Sequence, residues 1–281
     1  MAAALADVPE LPEVEVLRRS LERPLVGDRF EAVRVHFPTL REPLSEQRLR
    51  RLEGRKVLGL RRRAKYLWID ASGGQTLVLH LGMSGRLTLV DRSAPLVNHE
   101  HVGFELASGR RLRFRDPRRF GMAFVASTED LDGDRHFRHL GVEPLAAGFD
   151  GAVLAALARG RTAPVKTFLM NASVVVGVGN IYASEALYRA GIHPRRSVAR
   201  IARRRFEVLA EAVREVLREA IEQGGTTLND FADGEGNSGY FQVSLDVYDR
   251  EGEACPTGCG AGIRRINLSN RSTYYCPRCQ T

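Results

Sequence analysis

The chain has 281 residues, 43% of them hydrophobic, and a formal net charge of +8. No apolar run approaches the roughly 20 residues that span a bilayer, and residues 1–7 lack the basic and apolar regions of a secretion signal. A cytoplasmic, nucleoid-associated protein is therefore expected, in place of a membrane-spanning or exported one. Arginine dominates the basic residues, and its planar fork matches phosphate, so the charge points to a polyanion such as nucleic acid.

A short helix is predicted over residues 13–25. Val14, Leu17 and Leu21 form its apolar face, Pro12 suits a first turn, and Pro24 and Gly27 end it. Residues 28–125 read as strands. Short apolar runs occupy 57–60, 66–69 and 77–81, period-two alternation occupies 86–90 and 111–115, and glycines punctuate them at hairpin spacing. An antiparallel sandwich follows. After about residue 130 the pattern becomes helical, with helices over 152–158, 164–170 and 180–190. A long amphipathic helix runs through Phe206, Leu209, Val213, Leu217 and Ala220. Residues 232–239 form a polar, glycine-rich loop.

All four cysteines lie in the last 27 residues, as Cys255-x3-Cys259 and Cys276-x2-Cys279. Two close pairs let four thiolates meet around one tetrahedral zinc, and four thiolates close the sphere, so the ion is structural. Two disulfides or free thiols are the bland alternative. The intervening residues have hairpin length and carry Arg264, Arg265 and Arg271. They suit phosphate contact, or simply a solvated loop. Gly177-Val-Gly-Asn180 precedes a helix, with Asn180 the expected N-cap. Free amides there bind phosphate, although an ordinary capped turn explains the pattern as well.

Several motifs, in fixed order, resemble the bacterial formamidopyrimidine-DNA glycosylase family. They are Pro9-Glu-Leu-Pro-Glu-Val-Glu15, Arg63-Ala-Lys-Tyr66, His80-Leu-Gly-Met-Ser-Gly85, Asp116-Pro-Arg-Arg-Phe-Gly121 and Gly177-Val-Gly-Asn-Ile-Tyr-Ala-Ser-Glu185. Gly224-Gly-Thr-Thr-Leu228 and Gly239-Tyr-Phe241 resemble the flanks of the family's base-capping loop, and the cysteine ribbon completes the set. The likeness covers nearly all of residues 9–281. It implies an α+β multidomain fold: an N-terminal β-sandwich carrying the first helix, a helical helix-two-turn-helix domain and a C-terminal zinc ribbon. The expected boundaries are 9–140, 141–240 and 241–281, with 1–8 a non-native or processed extension.

The resemblance further implies a monomeric enzyme acting on damaged double-stranded DNA, with one structural zinc held by Cys255, Cys259, Cys276 and Cys279. The amine of Pro9 would attack C1′ of the damaged nucleotide and displace an oxidised purine. An α-amino group has a pKa near 8, so much of it is neutral and nucleophilic at neutral pH. The iminium formed is an electron sink for β- and δ-elimination. Glu10 would act on the sugar ring oxygen, Glu13 would orient the site, and Lys65 would contact the phosphate near the lesion. Asn180 and Arg271 would pinch phosphates around the flipped nucleotide, with Lys166 and His99 as further DNA contacts. Met83, Arg118 and Phe120 would fill the gap left in the duplex. Read without the resemblance, Glu10 and Glu13 are an acidic first turn, Lys65 is a solvated lysine, and Met83 and Phe120 are core residues.

Two departures stand out. The first cysteine knuckle holds three residues where the family usually has two, and zinc is expected to be kept through an altered turn. The family also begins at the proline once an initiator Met is removed, whereas Val8 precedes Pro9 here. A GTG codon reads as Val internally and as Met when it initiates, so Val8 is the expected true start. An endonuclease VIII-like enzyme for oxidised pyrimidines is the nearest alternative, although Leu11 departs from that branch. If Pro9 is blocked, a non-catalytic binder of damaged DNA is the other.

Overall fold

The computed structural model describes residues 9–224 and 245–281. The glycine-rich loop at 232–239, the capping-loop flanks at 225–228 and 239–241, and Val8 lie outside the described residues. The chain divides into two compact units, one ending at Arg138 and one opening at His139 that takes in both the helical region and the ribbon.

In the first unit, α1 (Leu11–Leu25) starts two residues earlier than periodicity predicts, because the Glu13 carboxylate accepts the Glu10 amide at 2.8 Å and closes a capping box. Pro24 sits inside the last turn instead of ending the helix. There follow β1 (Phe30–Val35), α2 (Glu46–Leu49), β2 (Val57–Arg63), β3 (Tyr66–Ala71), β4 (Gln75–His80), β5 (Arg86–Asp91), β6 (Glu100–Leu106), β7 (Arg110–Arg115) and β8 (Met122–Ser127). Two four-stranded sheets form, in the orders β1-β6-β7-β5 and β2-β3-β4-β8. All their pairings are antiparallel. Leu17, Leu21, Phe30, Ile69, Leu79, Phe104 and Phe114 share one core, so the predicted sandwich is the observed one. β6 escapes periodicity because six of its seven residues are buried; a strand covered on both faces does not alternate.

In the second unit, α3 (Gly151–Ala158) is capped by Asp150, whose carboxylate accepts the Val153 amide at 2.8 Å. Gly151 lets α3 approach α6 (Arg203–Glu222), since a Cβ there would lie 2.4 Å from the Glu207 backbone. Between them come α4 (Val165–Leu169) and α5 (Asn180–Arg189). Asn180 is not the N-cap of α5, as expected, but its first residue; Gly179, in extended conformation, takes the cap position. β9 (Arg264–Leu268) and β10 (Arg271–Tyr275) pair around Ser269 and Asn270, both at positive φ, as two-residue hairpin turns require. Among the described residues, no helix is long and apolar enough to cross a membrane.

Candidate functional site

Strand register gathers the site loops of the first unit at one end. β3 pairs with β2 through Tyr66↔Arg63 and with β4 through Tyr66↔His80, and β4 pairs with β8 through His80↔Met122. The Ala64–Lys65 turn and the loops 81–85 and 116–121 therefore leave the same edge. In the other sheet, Arg115 is opposite both Arg86 and Glu100, which brings His99 to that end. α1 runs antiparallel to β2, with Glu15 3.4 Å from Arg62 and Arg18 donating to the Leu60 carbonyl at 3.4 Å. The start of α1, with Pro9, Glu10 and Glu13, thus points the same way as the Lys65 turn. Pro9 is buried and both glutamates are only 2% exposed, an unusual setting for carboxylates. Among the described residues of this unit, the non-glycine positive-φ positions are Ala64, His99 and Arg119. All three sit at this end, where backbone strain commonly accompanies function.

The Met83 loop and the Arg118–Phe120 loop are held together. Gly82 (φ +67°) approaches the Phe120 backbone so closely that a Cβ would lie 2.4 Å away. Buried Asp116 is the tie: its carboxylate accepts the Ser84 hydroxyl at 2.5 Å and the Gly121 amide at 2.7 Å, and Ser84 Oγ accepts the Arg118 amide at 3.0 Å. Phe120 is 46% exposed, with the Arg118 guanidinium 5.2 Å from its ring centre. Phe120 is thus an exposed aromatic on a braced loop, not a core residue. Asp116 lies within a motif quoted above, but its bracing role needs the Ser84 loop beside it, which sequence does not display.

His80 also emerges only from the structure. Its Nδ1 accepts the Gly82 amide at 3.0 Å, and its ring lies 4.7 Å from that of Tyr66. Burial, assisted by Lys65 and Arg41, pushes its pKa down to about 3. Between pH 6.5 and about 3 the unfolded chain binds a proton that the folded site refuses. Stability therefore falls as pH drops through that window and stops responding below it. Each unit is worth about 1.4 kcal/mol, so acidification from pH 6.5 to 5 is expected to cost about 2 kcal/mol that a His80→Gln variant keeps. Urea midpoints at the two pH values test this, and equal acid sensitivity in both proteins would refute a ring held neutral by the fold.

In the second unit Lys166 is 1% exposed. Its ammonium donates to Asn180 Oδ1 at 2.7 Å, Thr273 Oγ1 at 2.9 Å and the Ser272 carbonyl at 3.4 Å. Asn180 Nδ2 in turn donates to the Tyr248 hydroxyl at 3.1 Å. The structure thus places Lys166 beneath Asn180 and β10, as a support for both, while Arg271 at the start of β10 is exposed. Glu185 fixes the other side: its buried carboxylate accepts the amides of Asp246, Val247 and Tyr248 at 2.8, 3.0 and 2.8 Å. Burial raises its pKa and the three amides oppose that rise. Lys166→Met leaves three oxygens without their donor and is expected to lower the unfolding free energy by about 3 kcal/mol. A change under about 0.5 kcal/mol in denaturant titration would show that these contacts are dispensable.

The four cysteine sulfurs lie within 4.8 Å of one another. Cys255 and Cys279 are 3.8 Å apart and Cys259 and Cys276 3.5 Å. A tetrahedron of thiolates around zinc has edges of about 3.8 Å, so the residues fit that ion and not a disulfide. Thr257 Oγ1 lies 3.2 Å from the sulfurs of Cys255 and Cys279, and the Tyr188 hydroxyl 3.2 Å from that of Cys255, hydroxyls placed to steady thiolates. The extra knuckle residue is accommodated at Gly258, whose φ is +69°.

Against known proteins, residues 8–123 match the formamidopyrimidine-DNA glycosylase N-terminal domain, 140–232 its H2TH domain, and 252–281 the zinc finger found in FPG and IleRS. A formamidopyrimidine-DNA glycosylase of Halorhodospira halophila is 51% identical and one of Stutzerimonas stutzeri 52%, each over 273 residues covering 97% of this chain and 100% of the relative. The Lactococcus lactis Fpg in complex with DNA containing an abasic site superposes with a TM-score of 0.88 at 32% identity, over 97% of this chain and 99% of that one. The same protein with DNA containing an oxidised pyrimidine gives 0.87 at 32%, over 97% and 100%. The chain belongs to the formamidopyrimidine-DNA glycosylase family.

Proposed function

We propose that this chain excises oxidised purines from double-stranded DNA and then cuts the strand, as a bifunctional glycosylase and lyase in base excision repair. The observation that carries this reading is the buried corner at the start of α1, where Pro9 adjoins two glutamates that are each 2% exposed. A free Pro9 amine attacks C1′, the glycosidic bond breaks and the base leaves with a proton. Glu10 passes a proton to the ring oxygen as the sugar opens, leaving a cationic iminium. Loss of a C2′ proton then expels the 3′ phosphate, and a second elimination expels the 5′ phosphate. Glu13, bonded to the Glu10 amide, orients Glu10. Lys65, His99, Asn180 and Arg271 hold phosphates, Lys166 supports that grip through Asn180, and Met83, Arg118 and Phe120 occupy the vacated stack. Zinc, when bound, supplies structure and no chemistry. The protein acts as a monomer in the cytoplasm.

Excision from duplexes bearing 8-oxoguanine opposite cytosine, compared with thymine glycol, tests this. Faster release of 8-oxoguanine is expected, and a clear preference for thymine glycol overturns the purine assignment. The oxidised-pyrimidine complex of the L. lactis protein makes that second substrate the relevant comparison.

A further inference from the structure

β7 carries Arg111, Arg113 and Arg115 on one face by its two-residue repeat. Such a face ordinarily meets water, yet Arg111 is only 8% exposed. The residues that cover it are 92–99. Arg111 Nη2 donates to the Ala94 carbonyl at 2.7 Å, Arg113 Nη2 to Pro95 at 2.6 Å and Arg115 Nε to Asn98 at 2.8 Å. This segment belongs to no strand, and these carbonyls are taken by side chains. Glu100, 0% exposed, sits beneath, with its carboxylate 2.8 Å from Arg113 Nε and 3.5 Å from Arg111 Nε, and it accepts the Val97 amide at 3.4 Å. Burying a carboxylate is costly unless cations face it. Here it has two guanidiniums, with the His36 ring 3.8 Å away as well, and each guanidinium also grips the segment above.

His99 ends the segment. Its φ is +65° and its carbonyl accepts the Asp116 amide at 3.0 Å. A β-carbon residue stays in that region only where its surroundings impose it. We propose that Glu100 and the β7 arginines form a positioning device that holds residues 92–99 as a strap and thereby presents His99 to a DNA phosphate. This rests on the DNA reading above and extends it to residues that themselves touch no DNA. Glu100 supplies the charge, Arg113 joins it to the strap, and Arg115 fixes the strap next to His99.

The test uses Arg115→Ala and Glu100→Gln, with His99→Ala as reference, on a duplex carrying a tetrahydrofuran abasic analogue. Arg115→Ala is the milder change and keeps the test valid if Glu100→Gln fails to fold. Both variants are expected to exchange amide hydrogens at 94–99 about tenfold faster. They weaken duplex binding about as much as His99→Ala does, and each lowers the salt slope of log K by about one. Single-turnover excision of bound 8-oxoguanine is unchanged in both. Combining Arg115→Ala with His99→Ala adds nothing to His99→Ala alone. Unchanged exchange, or additive losses in the double variant, overturns the proposal. If His99→Ala binds like the native protein while excision persists, the phosphate contact and the strap's purpose fail but the glycosylase reading survives. If the native protein excises nothing, it is that reading that fails.

Discussion

A chain that begins at Pro9 is expected to become covalently attached to 8-oxoguanine duplex when borohydride is added, and a chain that keeps residues 1–8 is not. The reason is the nitrogen. With Val8 attached, Pro9 nitrogen is a tertiary amide whose lone pair is delocalised into the carbonyl; freed, it is a secondary amine. Only the amine yields an iminium that borohydride reduces. Loss of an essential nucleophile costs about 10³-fold or more, so the contrast is close to all-or-none. Intact mass of protein made from its own gene reports which form exists. Trapping of the extended form with equal efficiency would sink Pro9 as nucleophile. A failure of the shortened form to trap, while it still binds the duplex, would favour the binding-only alternative.

The second large effect concerns zinc. Structural zinc contributes about 10–16 kcal/mol to folding of isolated zinc-finger peptides, more than most domains have in reserve. Cys276→Ser, which removes a fully buried ligand, is expected to unfold the β9–β10 hairpin. Arg271 then loses its fixed position, and Lys166 loses Thr273 and Ser272 as acceptors. Duplex affinity is expected to fall about 100-fold or more. The sole tryptophan, Trp68, lies in the first unit with Phe137 4.8 Å away, so its emission is expected to stay native. Anisotropy titrations with and without added zinc, alongside Trp68 fluorescence, check both halves. Full affinity in the variant, or in chelator-treated protein shown to be metal-free, would mean the ribbon does not set the DNA grip.

What could be read from the sequence had a local cause. Alternation gave the sandwich, a 3.6-residue period gave α6, and paired cysteines gave the zinc tetrad. What could not be read depended on partners distant in the chain. β6 hides its period because its outward residues are covered too: His101 lies against the carbonyls of Phe37 and Asp116, and Gly103 lies under the Arg111 side chain. Lys166 enters only through the resemblance, as a DNA contact, and its burial among Asn180, Ser272 and Thr273 shows only in the fold. Asn180 has good N-cap chemistry, yet Gly179 takes the cap and leaves the amide for Lys166 and Tyr248. The bracing roles of Asp116, Glu185 and His80 were likewise invisible, although each lies inside a motif that resemblance had already marked.

The interleaved strand order of the sandwich also bears on how the chain reaches its fold. Phe30 pairs with Leu106 and Gln75 with Ser127, so neither sheet can be completed by neighbouring hairpins alone. Pairing of strands distant in sequence slows folding, because loop-closure entropy is lost before the contacts form. During synthesis the β2-β3-β4 meander can assemble early, but β1 must wait for β6 and β4 for β8. One sheet stays incomplete until β7 leaves the ribosome and the other until β8 does, and an incomplete sheet presents the unpaired edges and apolar surface that favour aggregation.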